Sequence, residues 1–308
     1  MLIDTHAHLN FAAFDKDREG VIKRCLENNT WMINIGTNYE TSKRAIEIAE
    51  KYPQGVFATI GLHPINLDTG LVKIRTDPEE GSNFEVEFDF EKYKRLATSG
   101  KVVAIGEIGL DYYWKPKTTR KKELFKQKQK ELFLKELELA KELNLPVIFH
   151  CRMAHKDLIE VLKSKFQNQN TKQKVLCSAE PINMGSGPNF KIKGVMHGFV
   201  GTVEQLKEYF KMGFYIGFNG IIFKKIEGIN FEENIKNTPL DRILIETDCP
   251  YLAPANFPEE RNNPLGVRFV AEKIAEIKKV SFDEVAKITT QNTKKLFKYP
   301  SIAKGGDE

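Results

Sequence analysis

A chain of 308 residues with 41% hydrophobic and 29% charged side chains has ample apolar material for a packed core and lacks the compositional bias of disordered segments. Its 47 Lys and Arg against 42 Asp and Glu leave a net charge of +5, an excess that permits contact with nucleic acid without demanding it. The start, MLIDTHAHLN, has no basic stretch followed by an apolar run, and no segment approaches the roughly 20 apolar residues that span a bilayer, so a cytoplasmic protein without membrane contact is expected.

In chain order, short β-favouring runs alternate with longer helical ones. Strand Leu2 to Thr5 leads to a helix over Asp17 to Asn28, strand Trp31 to Ile35 to a helix over Tyr39 to Lys51, and strand Val56 to Ile60 to a polar stretch, Asp68 to Phe88. Strand Val102 to Ile105 precedes a long helix over Lys121 to Asn144. Strand Val147 to Phe149 precedes a helix that carries His155, read as a surface residue, and a second polar stretch, Gln167 to Lys193. Strand Gly194 to Met196, a helix over Val203 to Lys211 and strands Phe214 to Gly217 and Arg242 to Ile245 follow. Helices over Gly266 to Lys279 and Phe282 to Phe297 close the chain, the second with Ser281 as its N-cap and Glu284 at the capping-box position.

Most of the strands are continuous apolar runs, the pattern of parallel strands covered on both faces. Eight strand and helix repeats in a chain of this length fit closure into a barrel, so the fold class is α/β, a (β/α)8 TIM barrel forming a single domain over residues 1–308. The stretches 68–88 and 167–193 are expected to be surface inserts rather than modules of their own. Cys25, Cys151, Cys177 and Cys249 lack C-x-x-C spacing, which argues for reduced, mostly buried thiols instead of a disulfide scaffold or a thiolate zinc site.

Barrel enzymes build their sites at the carboxyl ends of strands, and five of the eight strands end in metal-competent side chains. The first runs into His6 and His8, whose two-residue spacing sends both imidazoles the same way; the fourth runs into Glu107, flanked by Gly106 and Gly109, where missing side chains allow a ligand or the backbone to come close. The fifth ends in His150, the sixth in His197 and the eighth in Asp248. Any one of these alone is better explained as a hydrogen-bonded structural residue; six at equivalent positions point to a metal centre of mixed imidazole and carboxylate donors. Such a set suits Zn, Mn or Fe, and Mg if substrate phosphate adds oxygens. His63, at the end of the third strand, and Arg152, two residues past His150, are candidate substrate contacts, Arg152 through a phosphate. Glu246 is expected to position a neighbour, with no catalytic role. Tyr112, Tyr113 and Trp114, followed by the basic run Lys115 to Lys122, would hang over the catalytic face and suit a polynucleotide backbone and a stacked base.

The segments IDTHAHLN, IGLHP, GEIGLDYYW, LPVIFHCRMA, GVMHGFVG, GFYIGFNGIIFK, ILIETDCPYLAP and RNNP occur in one order over nearly the whole chain. Together they resemble the TatD-type deoxyribonucleases, a branch of the amidohydrolase superfamily of metal-dependent barrels. The resemblance implies two divalent cations (Mg, Mn or Zn), the first on His6, His8 and Asp248, the second on His150 and His197, with Glu107 bridging. It departs from the family at Gly198, where Cys is frequent, and in the length of the two inserts, which bear on the choice of substrate.

By the same resemblance, the expected activity is phosphodiester hydrolysis of DNA, in the manner of a 3′-5′ exonuclease on single strands or 3′ ends, with water activated by the metals and its proton accepted by Asp248. The ligand set equally serves other ester and amide bonds, so a deacylase acting on D-aminoacyl-tRNA is the alternative, and a non-catalytic nucleic-acid-binding barrel the third reading.

Overall fold

The computed structural model describes residues 1–72, 77–80, 84–167, 192–297 and 299. Eight strands form one parallel sheet in sequential order: β1 (Leu2–Ala7), β2 (Thr30–Asn34), β3 (Val56–Ile60), β4 (Val102–Asp111), β5 (Val147–Arg152), β6 (Gly194–Met196), β7 (Tyr215–Phe218) and β8 (Ile243–Ile245). The last strand returns to the first just beyond its own end. Asp248 N donates to His6 O at 2.8 Å, His8 N donates to Cys249 O at 2.9 Å, and Ala7 bridges Cys249 in parallel. The result is the expected (β/α)8 barrel, nearly closed.

Helices α1 (Arg18–Glu27), α2 (Tyr39–Glu50), α3 (Phe90–Leu96), α4 (Thr119–Leu143), α5 (His155–Gln167), α6 (Val203–Lys211), α7 (Phe231–Asn237), α8 (Val267–Lys278) and α9 (Phe282–Leu296) connect the strands and close the end of the chain. Each cover helix buries one stripe, as in α8, where Val267, Val270, Ala271 and Ile274 recur at the spacing of one helical face. Asn38 and Thr202 cap α2 and α6 with reciprocal capping boxes, and Ser281 caps α9 by accepting from Glu284 N at 3.1 Å. Among the described residues, no helix is long and apolar enough to cross a membrane.

Strand alternation divides the core in two. One side of the sheet packs Met32, Val56, Val147, Met196, Ile216 and Ile243 into the layer shared with the helices. The other turns Ile33, Phe57, Val103, Ile148, Val195, Tyr215 and Leu244, drawn from β2 to β8, into a separate interior cluster closed by Leu296 and Phe297. A packed interior leaves room for chemistry only at the rims, and the strand carboxyl ends meet at one of them.

Of the residues expected to be structural or peripheral, Cys25 and Cys249 are free and buried and Cys151 is free and half-buried, while Cys177 lies outside the described residues. His155 is not a surface residue. It is buried, with Nδ1 2.8 Å from the Tyr209 hydroxyl and Nε2 2.9 Å from Val200 O, and burial lowers its pKa. The start of α5 packs beneath the β6 loop, so a position that looks exposed on its own helix is covered by a neighbour.

Candidate metal centre

Glu107 and Asp248 each sit inside a ring of imidazole nitrogens. Glu107 Oε1 lies 2.5 Å from His150 Nδ1, 3.6 Å from His63 Nε2 and 3.8 Å from His197 Nε2, and its Oε2 lies 3.2 Å from His6 Nε2. Asp248 Oδ1 lies 3.3 Å from His8 Nε2, 3.7 Å from His6 Nε2 and 3.9 Å from His197 Nε2. His6 and His197 are common to both rings and stack at 3.4 Å between centroids. The structure therefore gathers His6, His8, His63, Glu107, His150, His197 and Asp248 at one place, although they span 243 positions of sequence and arrive on six strands.

Local irregularities aim these side chains. Between Asp4 and Ala7, β1 advances three residues while β2 advances two, and between Ile105 and Ile108, β4 does the same against β5. Each extra residue is a bulge, the device by which a strand redirects a side chain at a barrel rim, and His6 and Glu107 lie in these two bulges. Gly109 has φ +150°, and a Cβ there would stand 2.1 Å from His150 O, so the glycine admits the backbone of β5. Asp248 is held at φ +61°, a region that non-glycine residues seldom occupy and that concentrates at functional sites. Asp4 secures that turn: its carboxylate accepts from Thr247 N at 2.9 Å, from the Thr247 hydroxyl at 2.5 Å and from His6 N at 3.1 Å.

Two carboxylates back the histidines from behind. Asp111 Oδ2 stands 3.0 Å from His150 Nε2, and Glu246 Oε1 stands 2.8 Å from His197 Nδ1, close enough to pair though not aligned as a hydrogen bond, while it accepts from Gly198 N at 2.6 Å. Glu246 thus stands against His197, a neighbour of the kind it is expected to position. Asp111 was not anticipated from the sequence; its signal is the even spacing from Glu107 along β4, which puts both on one side of the strand.

The electrostatics match a site short of positive charge. Burial works against protonation of His150 and His197, yet Glu107 and Asp111 raise the first to about 9, and Glu246 with Glu107 raises the second to about 10. Burial, with His197 beside it, lowers His6 to about 4. Against the pull of burial, the imidazoles hold Glu107 well below the usual carboxylate range and Asp248 below it too. Protons on buried histidines balance a surplus of carboxylates, a balance that divalent cations would also strike. Among the described residues, the ring atoms His6 Nδ1 and His8 Nδ1 are buried without a hydrogen-bond partner, while their Nε2 atoms converge 3.2 Å apart toward Asp248. His6, His8 and Asp248 make one group whose donor atoms lie within 4.8 Å of one another, His63, Glu107 and His150 make another, and His6, His197 and Glu246 a third.

A cavity of about 650 Å³ opens beside these groups, lined by His150, His197 and Asp248 and, farther out, by Tyr113, Arg152 and Tyr251. Arg152 is exposed and its guanidinium lies 3.7 Å over the Tyr113 ring. Tyr113 and Trp114 are exposed, whereas Tyr112 is buried and donates to Asp157. Lys115, Lys117, Arg120 and Lys121 are exposed beyond them.

The family model described as TatD related DNase matches residues 3–298. The chain belongs to the TatD-related DNase family. It is 39% identical over 301 residues to the uncharacterised metal-dependent hydrolase YabD of Bacillus subtilis, covering 97% of this chain and 99% of that one. It is 30% identical to the 3′-5′ ssDNA/RNA exonuclease TatD of Erwinia tasmaniensis, over 96% and 99% of the two chains. The crystal structure of YJJV, a TatD homologue from Escherichia coli K12, superposes with a TM-score of 0.73 at 28% identity, covering 97% of this chain and 98% of that one. As a member of the family, this chain is a metal-dependent hydrolase. The fold and family implied by the motif order are therefore correct.

Proposed function

We propose that this chain hydrolyses phosphodiester bonds at the 3′ ends of single-stranded DNA with two divalent cations, Mg, Mn or Zn. His6, His8 and Asp248 would hold the first, His150 and His197 the second, with Glu107 between them. The observation that carries this reading is that Glu107 faces four imidazoles and Asp248 three, within 2.5 to 3.9 Å, at the mouth of the barrel. Mixed nitrogen and oxygen donors around two carboxylates suit a pair of such ions. Bound there, they would acidify a water and withdraw charge from the phosphate oxygens.

The chain's own groups supply the rest. Asp248, 20% exposed against 6% for Glu107, would orient the attacking water and accept its proton. Asp111 and Glu246 fix the ring orientations of His150 and His197. His63, on the Glu107 and His150 side, and Arg152, on the rim, are the proposed substrate contacts, Arg152 taking a phosphate and leaving the Tyr113 face for a base. The Erwinia relative's name supports single strands and 3′ ends as substrate.

Release of nucleotides from end-labelled single-stranded and duplex DNA with added Mg or Mn tests this. Nucleotides should be released from the single strand, and His150→Ala should abolish that release. Deacylation of D-aminoacyl-tRNA with no release of nucleotides would replace the reading with that of a deacylase on the same site.

A further inference from the structure

The mouth of the barrel is asymmetric. Every residue that lines the cavity comes from the end of β5 or from the segments that follow β4 to β8, with Arg152 and Tyr113 on one side and Tyr251 and Leu252 on the other. The ends of β1 to β3 are instead covered by the described parts of the 68–88 stretch. Ala13 N donates to Glu79 O at 3.0 Å and Ala12 N to Glu80 O at 3.5 Å, beyond the end of β1. The Glu80 carboxylate accepts from the Thr37 hydroxyl beyond β2 and from Asn66 Nδ2 at 2.8 Å beyond β3. Across the mouth, the Tyr251 hydroxyl donates to Asp77 Oδ2 at 2.7 Å. His6 and His8 side chains are 0% and 4% exposed, against 16% for His150 and 20% for Asp248, while His63, at the end of β3, is 10% exposed and His197, on the open side, 9%.

Charge divides the rim in the same way. The covered side carries Asp77, half-buried, and Glu79, exposed, while Glu80 is buried in its own hydrogen bonds and Arg18, Arg44 and Arg261 beyond them pair with Asp15 and Asp17; Lys73 and Arg75 of this stretch lie outside the described residues. The open side carries Arg152 over Tyr113, then Lys115, Lys117 and Arg120, with Glu227 the acid in its lining besides Asp248 of the centre itself. A phosphodiester inside a polymer has chain on both sides and needs an open groove through the site. A terminal one needs a single approach. Here one approach is basic and aromatic, and the other side is covered by a segment that carries Asp77 and Glu79, whose charge disfavours a phosphate backbone.

We propose that residues 77–80, through Asp77 and Glu79, form an acidic end stop. It lets a single-stranded nucleic acid lie along the Arg152 and Tyr113 side with its terminal linkage at Glu107 and Asp248, and refuses a strand that continues past them. This rests on the phosphodiesterase reading above and adds the element that restricts the enzyme to chain ends.

The test compares linear single-stranded DNA with a covalently closed circle of the same sequence, under Mg or Mn, in wild type, Asp77→Asn/Glu79→Gln and Tyr251→Phe. Wild type should degrade the circle at least about 100-fold more slowly than the linear strand. The charge variant should narrow that gap about tenfold while hydrolysing the linear strand at the wild-type rate, and Tyr251→Phe, which keeps the charges but releases the tether, should narrow it less. Equal rates on circle and linear strand in wild type, or a gap unchanged in both variants, would overturn the end stop and leave the phosphodiesterase reading standing. No hydrolysis of either DNA would overturn that reading and the end stop with it.

Discussion

Asp111 and Glu246 show how much of the centre depends on residues that hold no ion in the proposed scheme. Each presses a carboxylate against one nitrogen of a proposed ligand, His150 or His197, and so decides which nitrogen is free to face the other donors. Asp111→Asn and Glu246→Gln should each lower kcat/KM and metal affinity by about 10 to 100-fold while retaining the fold; unchanged metal affinity in both variants would remove them from the account. Proton linkage gives a second expectation at this scale. In the metal-free protein, His150 and His197 are raised to about 9 and about 10, so their contribution to stability is complete below the ordinary imidazole value and is lost as pH rises through 9 to 10. Asp111, Glu107 and Asp248 are lowered, so theirs is present at neutral pH and lost on acidification. Ligation keeps an imidazole deprotonated at all working pH, so melting temperatures measured with and without Mn should diverge in slope between about pH 8 and about pH 10, the metal-free protein losing more. Parallel curves would contradict the assignment. Much at this scale is legible in the sequence, because His6, His8, Glu107, His150, His197 and Asp248 all follow apolar strand cores. Asp111 is hidden inside GLDYYW, and His155 misleads because what covers it comes from β6 and α6, far along the chain.

At the scale of elements, strand centres are easier to see than strand ends. Continuous apolar runs mark where parallel strands are covered on both faces, and Val56–Ile60 and Gly194–Met196 coincide with the sequence expectation residue for residue. β4 instead runs six residues past the expected end at Ile105, because Gly106, Glu107 and Gly109 look like loop but pair with β5 through Gly109 to His150 and Asp111 to Arg152. The seven-residue helices α3 and α7 escape notice because two turns give too few apolar positions to establish a period. The bulge that carries His6 has no sequence signature, and the one that carries Glu107 has only Gly106. Gly109→Ala tests the close approach of β4 and β5 just past the second bulge: the added methyl must enter a site 2.1 Å from His150 O at a positive φ. Stability should fall by about 3 kcal/mol or more in urea unfolding, with activity lost alongside it; a loss under about 1 kcal/mol would show that β4 and β5 can move apart without consequence.

Across the whole molecule, the barrel brings together side chains that lie 242 positions apart, from His6 to Asp248, because β8 returns to β1 through the Ala7 and Cys249 bridge and the Asp248 N to His6 O hydrogen bond. Closure and chemistry therefore share the same residues, and the strain at Asp248 is maintained by the seam that completes the sheet. The alternation of strands and helices makes this architecture evident from the sequence, whereas the covering of the β1 to β3 ends by the described parts of the 68–88 stretch follows from contacts at Ala12, Thr37, Asn66 and Tyr251 that no local pattern foretells. Anomalous scattering from crystals grown with Mn tests the central claim most directly. Two peaks should appear, one among His6, His8 and Asp248 and one beside His150 and His197, with Glu107 between them; peaks confined to other surfaces, with these side chains still paired only to one another, would contradict it.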